Sequence, residues 1–213
     1  MYEVRVTKLN DDKVIGLASL VVDGEFVFNG IKLVATDNTL ANKGRGYNVV
    51  MPTYKSSYGE YEAFFKPVTR NMYDKLTYNI HRAYESGEVI GFGESHQQLG
   101  VSVKQLKQNI QDGGTKKADV TIAFNKEFIC DSVSVRENMT TGELFVAYPS
   151  YKTKNKDGGI EYKNICNPIS RDFKDKISNQ VLSEIKKPEK ERGVDLSIAA
   201  PKPTKRYSKD KQR

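Results

Sequence analysis

Two arginines occupy a place where a helix would rather have an acid. Arg70 follows Thr69 in Pro67-Val68-Thr69-Arg70-Asn71-Met72-Tyr73-Asp74-Lys75-Leu76, and Arg171 follows Ser170 in Pro168-Ile169-Ser170-Arg171-Asp172-Phe173-Lys174-Asp175-Lys176-Ile177. The threonine and the serine are placed to cap helices that begin at the arginines, and the first turn of a helix carries the positive end of its dipole. Two readings of each arginine stand. Asp74 and Asp175 lie four residues on, the spacing of an intrahelical ion pair worth about 0.3–0.5 kcal/mol. Alternatively, Arg70 and Arg171 add to the positive helix end and present a phosphate-binding spot, with Lys75, Lys176, Lys55 and Lys152 as neighbouring contacts.

A second group is richer in the later half of the chain. Lys152, Lys154, Lys156 and Lys163 surround Tyr151 and Tyr162, while Tyr54, Tyr58 and Tyr61 repeat the aromatic part with fewer lysines. Cations interleaved with aromatics suit a surface that tracks a phosphate backbone and stacks bases, although tyrosines of this kind are equally ordinary in half-buried strands. No Ser/His/Asp or Cys/His order recurs, no paired carboxylates sit in an apolar setting, and no metal-ligand spacing is present. The expectation is a protein with no catalytic residues, no metal and no cofactor. His81 and His96 have no Cys or Asp partner at ligand spacing.

These residues recur because the chain is an internal repeat. Between Pro67–Leu76 and Pro168–Ile177 four pairs are identical and most others exchange near equivalents. Upstream, Val49-Val50-Met51-Pro52-Thr53-Tyr54-Lys55 is answered by Val146-Ala147-Tyr148-Pro149-Ser150-Tyr151-Lys152, and Val4-Arg5-Val6 by Val101-Ser102-Val103. Residues 1–87 and 100–186 read as two copies of one small domain. Residues 88–99 form a Gly-rich linker and residues 187–213 a basic, disordered tail. Cys130 and Cys166 stand where the first copy has Phe28 and Phe65, which marks them as small apolar core residues.

Each copy reads as a run of antiparallel strands followed by one helix. Ile15 to Val22 is a strand-like run, and Asp23-Gly24, answered by Asn125-Lys126, is a hairpin signal. The strands Tyr47–Met51 and Leu144–Tyr148 stop at a proline. After each capping residue, Met72, Leu76, Ile80 and Ala83, matched by Phe173, Ile177, Val181 and Ile185, recur at helical spacing. The fold class is α+β: two small antiparallel β-sheet domains, each with a C-terminal helix, packed as an intrachain pseudo-dimer.

Charge is unevenly placed. The 213 residues carry 34 Lys+Arg and 27 Asp+Glu, a net +7, but residues 186–213 hold ten of the cations and four of the acids, a net +6. The remainder is nearly neutral, so the basic character belongs to the tail. Neither a signal peptide nor a run of 18 apolar residues is present, and a soluble, cytoplasmic protein without a membrane partner is expected.

Met51-Pro52-Thr53-Tyr54-Lys55, Gly59-Glu60-Tyr61 and Lys66-Pro67-Val68-Thr69-Arg70, with Tyr148-Pro149-Ser150-Tyr151-Lys152, Gly159-Ile160-Glu161-Tyr162 and Asn167-Pro168-Ile169-Ser170-Arg171, resemble the pattern of the SpoVG family, the stage V sporulation protein G or septation-regulator family of bacteria. The resemblance implies small α+β domains that dimerise and bind DNA, and in some cases RNA, as regulators of gene expression. It offers Arg70, Lys75, Arg171, Lys174 and Lys176 as candidate contacts, beside the loop residues Lys55, Lys152, Lys154 and Lys156. The family's histidine before proline is Lys66 and Asn167 here, so any role of that histidine is absent. A nucleic-acid-binding regulator is thus the leading expectation, with further homo-oligomerisation open. The alternatives are a protein-interaction module and a nucleotide or small-ligand sink between the copies.

Overall fold

A computed structural model describes residues 1–37, 46–55, 59–96, 99–108, 114–155 and 157–187. The expected tail, apart from Lys187, and Lys156 and Tyr58 lie outside them. The first copy runs β1 (Tyr2–Lys8), β2 (Val14–Val22), β3 (Phe26–Ala35), β4 (Tyr47–Val50), β5 (Thr53–Lys55), β6 (Tyr61–Ala63), β7 (Phe65–Pro67) and α1 (Arg70–Ser86). The second runs β9 (Val101–Gln108), β10 (Lys116–Phe124), β11 (Phe128–Glu137), β12 (Leu144–Ala147), β13 (Ser150–Lys154), β14 (Ile160–Asn164), β15 (Cys166–Pro168) and α2 (Arg171–Lys186). Both copies are α+β with the same element order. The linker is not merely a connection: β8 (Ile90–Phe92) extends the first sheet by pairing with β1.

The hairpin signals form turns. Asp23 and Gly24 have φ of 47° and 69°, and the Glu25 N–H donates to the Val22 carbonyl at 3.0 Å. Asn125 and Lys126, with φ of 50° and 57°, close the equivalent turn through Glu127 N–H to Phe124 C=O at 2.9 Å. Both have the left-handed central residues that match strand twist. The helix signals hold as well. Thr69 Oγ1 accepts from the Met72 N–H and Ser170 Oγ from the Phe173 N–H, each at 3.1 Å. Helix α1 ends at Gly87, whose φ of 76° is the left-handed stop that glycine takes without a Cβ clash.

The short strand before each helix pairs with the other copy's sheet. Strand β7 lies against β11, Phe65 opposite Cys130 and Pro67 opposite Phe128. Reciprocally, β15 lies against β3, Cys166 opposite Phe28 and Pro168 opposite Phe26. The prolines sit on outer strands, where a missing N–H breaks no ladder. The same edge of β3 carries β4 further along, and a bulge with Gly30 at φ 80° separates the two partners. Ser132, at φ 69°, takes this position in β11.

The two copies consequently share one core. Leu20, Phe26, Phe28, Leu33, Leu76 and Ile80 of the first are continuous with Ile122, Phe124, Phe128, Val135, Ile177 and Val181 of the second. The Phe26 and Phe124 rings stand 4.4 Å apart, and the Phe28 and Phe65 rings 4.5 Å. Cys130 and Cys166 are free, fully buried and 3.1 Å apart at Sγ. The hydrogen bond with Cys166, together with burial, makes the Cys130 thiolate costly, so the Cys130 thiol is pushed far up.

Candidate functional site

The coordinates pair each helix-start arginine with its aspartate and leave it at the surface. Arg70 Nε lies 3.0 Å from an Asp74 carboxylate oxygen, and Arg171 Nε 3.9 Å from Asp175. The side chains are nevertheless 83% and 90% exposed, so each pair is a surface contact of at most a few tenths of a kcal/mol. The Arg70 guanidinium also lies over the Tyr73 ring, 5.4 Å from its centre. Neither arginine is neutralised in the interior.

The two helix starts differ. Around α2, Ser170 Oγ donates to the Glu25 carboxylate of the first copy at 2.9 Å, and Asp172 occupies the first turn. These acids already serve the positive helix end. Helix α1 has no acid in its first turn, and what Glu127 offers next to it is its carbonyl, accepting from the Val68 N–H at 2.8 Å. Its carboxylate is engaged by the Tyr2 hydroxyl. The α1 start therefore lacks the acids that stand at the α2 start, although Arg70 is held closer by its own aspartate than Arg171.

Lys75, Lys174 and Lys176 are exposed. Lys174 and Lys176 are two residues apart and so diverge by about 160° around the axis, flanking the buried stripe of Phe173 and Ile177 on opposite sides. The ammonium of Lys176 reaches back over the Phe173 ring at 5.7 Å. The helix lysines thus do not form one patch.

The loop residues do converge. Strands β13 and β14 pair only with each other, as do β5 and β6, so each copy projects a separate two-stranded ribbon. In the second, the register sets Lys152 opposite Tyr162 and Lys154 opposite Ile160. Alternation along the strands places these four on one face. In the first, Lys55 is opposite Tyr61, the equivalent pair. Tyr61 is 75% and Tyr162 69% exposed. The opposite faces are neutralised: Lys163 bridges Glu161 at 2.9 Å, which holds its ammonium above the usual range. Tyr54 donates to Glu62 at 3.0 Å and packs on Phe64. Lys55, Lys152 and Lys154 make no ion pair among the described residues. The sequence names these lysines and tyrosines, but only the pairing register shows which share a face.

One polar cluster has no local signature in the sequence. Asp23 and Asn125, equivalent turn residues of the two copies, meet at 3.1 Å. The Asp23 side chain, 4% exposed, also receives the Met1 amine and the His96 backbone N–H, and lies 3.1 Å from His96 Nδ1. Burial alone would raise the Asp23 carboxyl, but the amine, Asn125 and the His96 N–H outweigh it and hold the carboxyl below its ordinary range. The cluster binds hairpin to hairpin and linker to both. Among the described residues no group of His, Cys, Asp and Glu has the makings of a metal site, and no helix is long and apolar enough to cross a membrane.

A family model described as SpoVG matches residues 1–86 and, separately, residues 98–187. The chain belongs to the SpoVG family. It is 35% identical over 88 residues to a protein of Clostridium botulinum strain Alaska E43 named as a septation protein SpoVG, an overlap of 41% of this chain and 90% of that one. Proteins of the same name from Caldanaerobacter subterraneus and Lachnospira eligens match at 35% over 80 residues and 33% over 89, covering 38% and 41% of this chain and 81% and 93% of theirs. Each relative is thus matched by a single copy's length, where this SpoVG chain carries two. No solved structure matches.

Proposed function

We propose that this SpoVG-family protein is a non-enzymatic, cytoplasmic regulator that binds DNA or RNA, with its two copies in one chain standing for the two subunits of a dimer. The observation that carries the reading is the repeated exposed cation set: Arg70 and Arg171 at the helix starts and the Lys–Tyr pairs of the ribbons, unburied and with weak or no neutralisation. The name septation protein, borne by relatives at 33–35% identity, supports a regulatory rather than a catalytic role. The net +6 of residues 186–213 supplies a long-range attraction for a polyanion.

The test is a titration of labelled single- and double-stranded DNA and RNA with the full chain, and with a chain ending at residue 187, at two salt concentrations. Phosphate contacts release counterions, so affinity falls steeply with salt, by about 0.7–0.9 in the log–log slope per contact. Charge reversal of Arg70 and Arg171 lowers that slope if the helix starts take part. Binding lost entirely with the tail would remove the folded copies from the site. The near neutrality of residues 1–185, 24 cations against 23 acids, favours a second reading in which the folded part recruits a protein. No shift with any nucleic acid at low salt, with one discrete captured partner, selects it.

A further inference from the structure

Resting on the nucleic-acid reading, we propose that the β13–β14 ribbon is a stacking platform for single-stranded nucleic acid: Tyr162 carries an unpaired base while Lys152 and Lys154, on the facing strand, hold successive phosphates.

Four observations converge on this ribbon. It pairs with no other strand, and the face that carries Lys152, Lys154, Ile160 and Tyr162 is exposed at all four residues. Ile160 and Tyr162 are 62% and 69% exposed, side by side on this one face. Exposing them contributes nothing to folding and leaves apolar surface available to a ligand. The lysines of this face have no ion pair among the described residues, whereas Lys163, on the opposite face, is tied to Glu161 at 2.9 Å. Charge is thus kept free on the face of Tyr162, while the lysine opposite Tyr151 on the other face is paired. Finally, Lys152 stands directly across from Tyr162, and Lys154, one same-face step of ~6.6 Å along the strand, lies within reach of the next phosphate.

The occupant follows from the chemistry. A tyrosine face stacks on a base whose own face is free, and in a duplex those faces are covered by the neighbouring pairs. An exposed aromatic beside free cations therefore selects single strands, without preference among bases. The β5–β6 ribbon repeats the Lys55–Tyr61 pair but, among the described residues, has one lysine on that face where the β13–β14 ribbon has two. It is the weaker platform, and the second copy dominates.

The experiment measures anisotropy of labelled oligo(dT), oligo(U) and a mixed-sequence duplex with the full-length chain and its variants. Tyr162→Ala is expected to weaken binding to single strands by about 5- to 100-fold, Tyr162→Phe to preserve it, and duplex affinity to stay within about two-fold. The double variant Lys152→Ala/Lys154→Ala is expected to flatten the single-strand salt slope by about 1.4, two contacts at about 0.7 each. The oligo(dT) and oligo(U) arms separate DNA from RNA as the source of the strand. Thermal melts of the variants unchanged from the parent exclude a folding effect, as expected for exposed side chains. If Tyr162→Ala binds single strands like the parent, or weakens duplex and single strand alike, the platform is wrong while nucleic-acid binding stands. If the unmodified chain binds none of the three at low salt, the underlying reading falls with it.

Discussion

At the scale of single residues, the Asp23 carboxylate joins more of the chain than any surface pair. It meets the Met1 amine, Asn125 and His96, from three separated segments, while nearly buried. Asp23→Asn keeps the shape and removes the charge, leaving the amine without its counter-ion. The expected loss is about 1–3 kcal/mol at pH 7 by chemical denaturation. The sign of the pH effect follows from the depressed folded pKa. Ionised Asp23 contributes stability in full above its ordinary value of 3.8, and the contribution fades as pH falls through the lower folded value. The gap between parent and variant therefore narrows below pH ~4; a gap independent of pH would assign the effect to packing. None of this was legible in local spacing, because Asp23, His96 and Asn125 are brought together only when the two copies meet. The burial of Cys130 and Cys166 was legible, since the repeat aligns them with two phenylalanines and a core position is defined by its neighbours rather than by its residue type.

At the scale of elements, both helices could be read from the sequence, cap by cap and stripe by stripe, because a 3.6-residue period over four turns leaves little ambiguity. The exchanged strands could not. Phe65-Lys66-Pro67 and Cys166-Asn167-Pro168 are too short to show a period, and nothing local states which sheet a three-residue strand joins. Yet they join the copies, and two substitutions separate their weight from that of the adjoining helix. Thr69→Ala removes one capping bond to α1 and is expected to cost about 1 kcal/mol. Phe65→Ala empties a fully buried site on β7, packed against the Phe28 ring, and is expected to cost about 3–5 kcal/mol. Urea unfolding of the two variants compares them directly. A Phe65→Ala cost no greater than that of the cap would mean that β7 merely drapes over the second sheet. The ribbons fall between these cases: their lysines and tyrosines stood out in composition, but the face each occupies depends on a register that the sequence alone does not fix.

At the scale of the whole molecule, the duplication is not a simple doubling, because the copies differ where they touch. Each exchanged strand sets a phenylalanine opposite a cysteine: Phe65 faces Cys130, and Phe28 faces Cys166. If the first copy paired with itself in the same way, both positions would hold Phe opposite Phe, and the interior would be overfilled at a cost of about 1–3 kcal/mol. If the second copy paired with itself, both would hold Cys opposite Cys and leave voids, each lost methylene-sized volume costing on the order of 1 kcal/mol. The unlike pair alone matches large to small, as close packing requires. Asp23 opposite Asn125 adds the same preference: self-pairing of the first copy would set two nearly buried carboxylates together, which disfavours ionising both. Residues 1–96 and 99–187, produced as separate chains and mixed, are therefore expected to form the unlike pair in large excess over the half expected from random assortment, as native mass spectrometry would register. A random mixture, or two halves that remain monomeric, would show that the phenylalanine–cysteine match does not direct assembly and that the covalent linker alone holds the copies together.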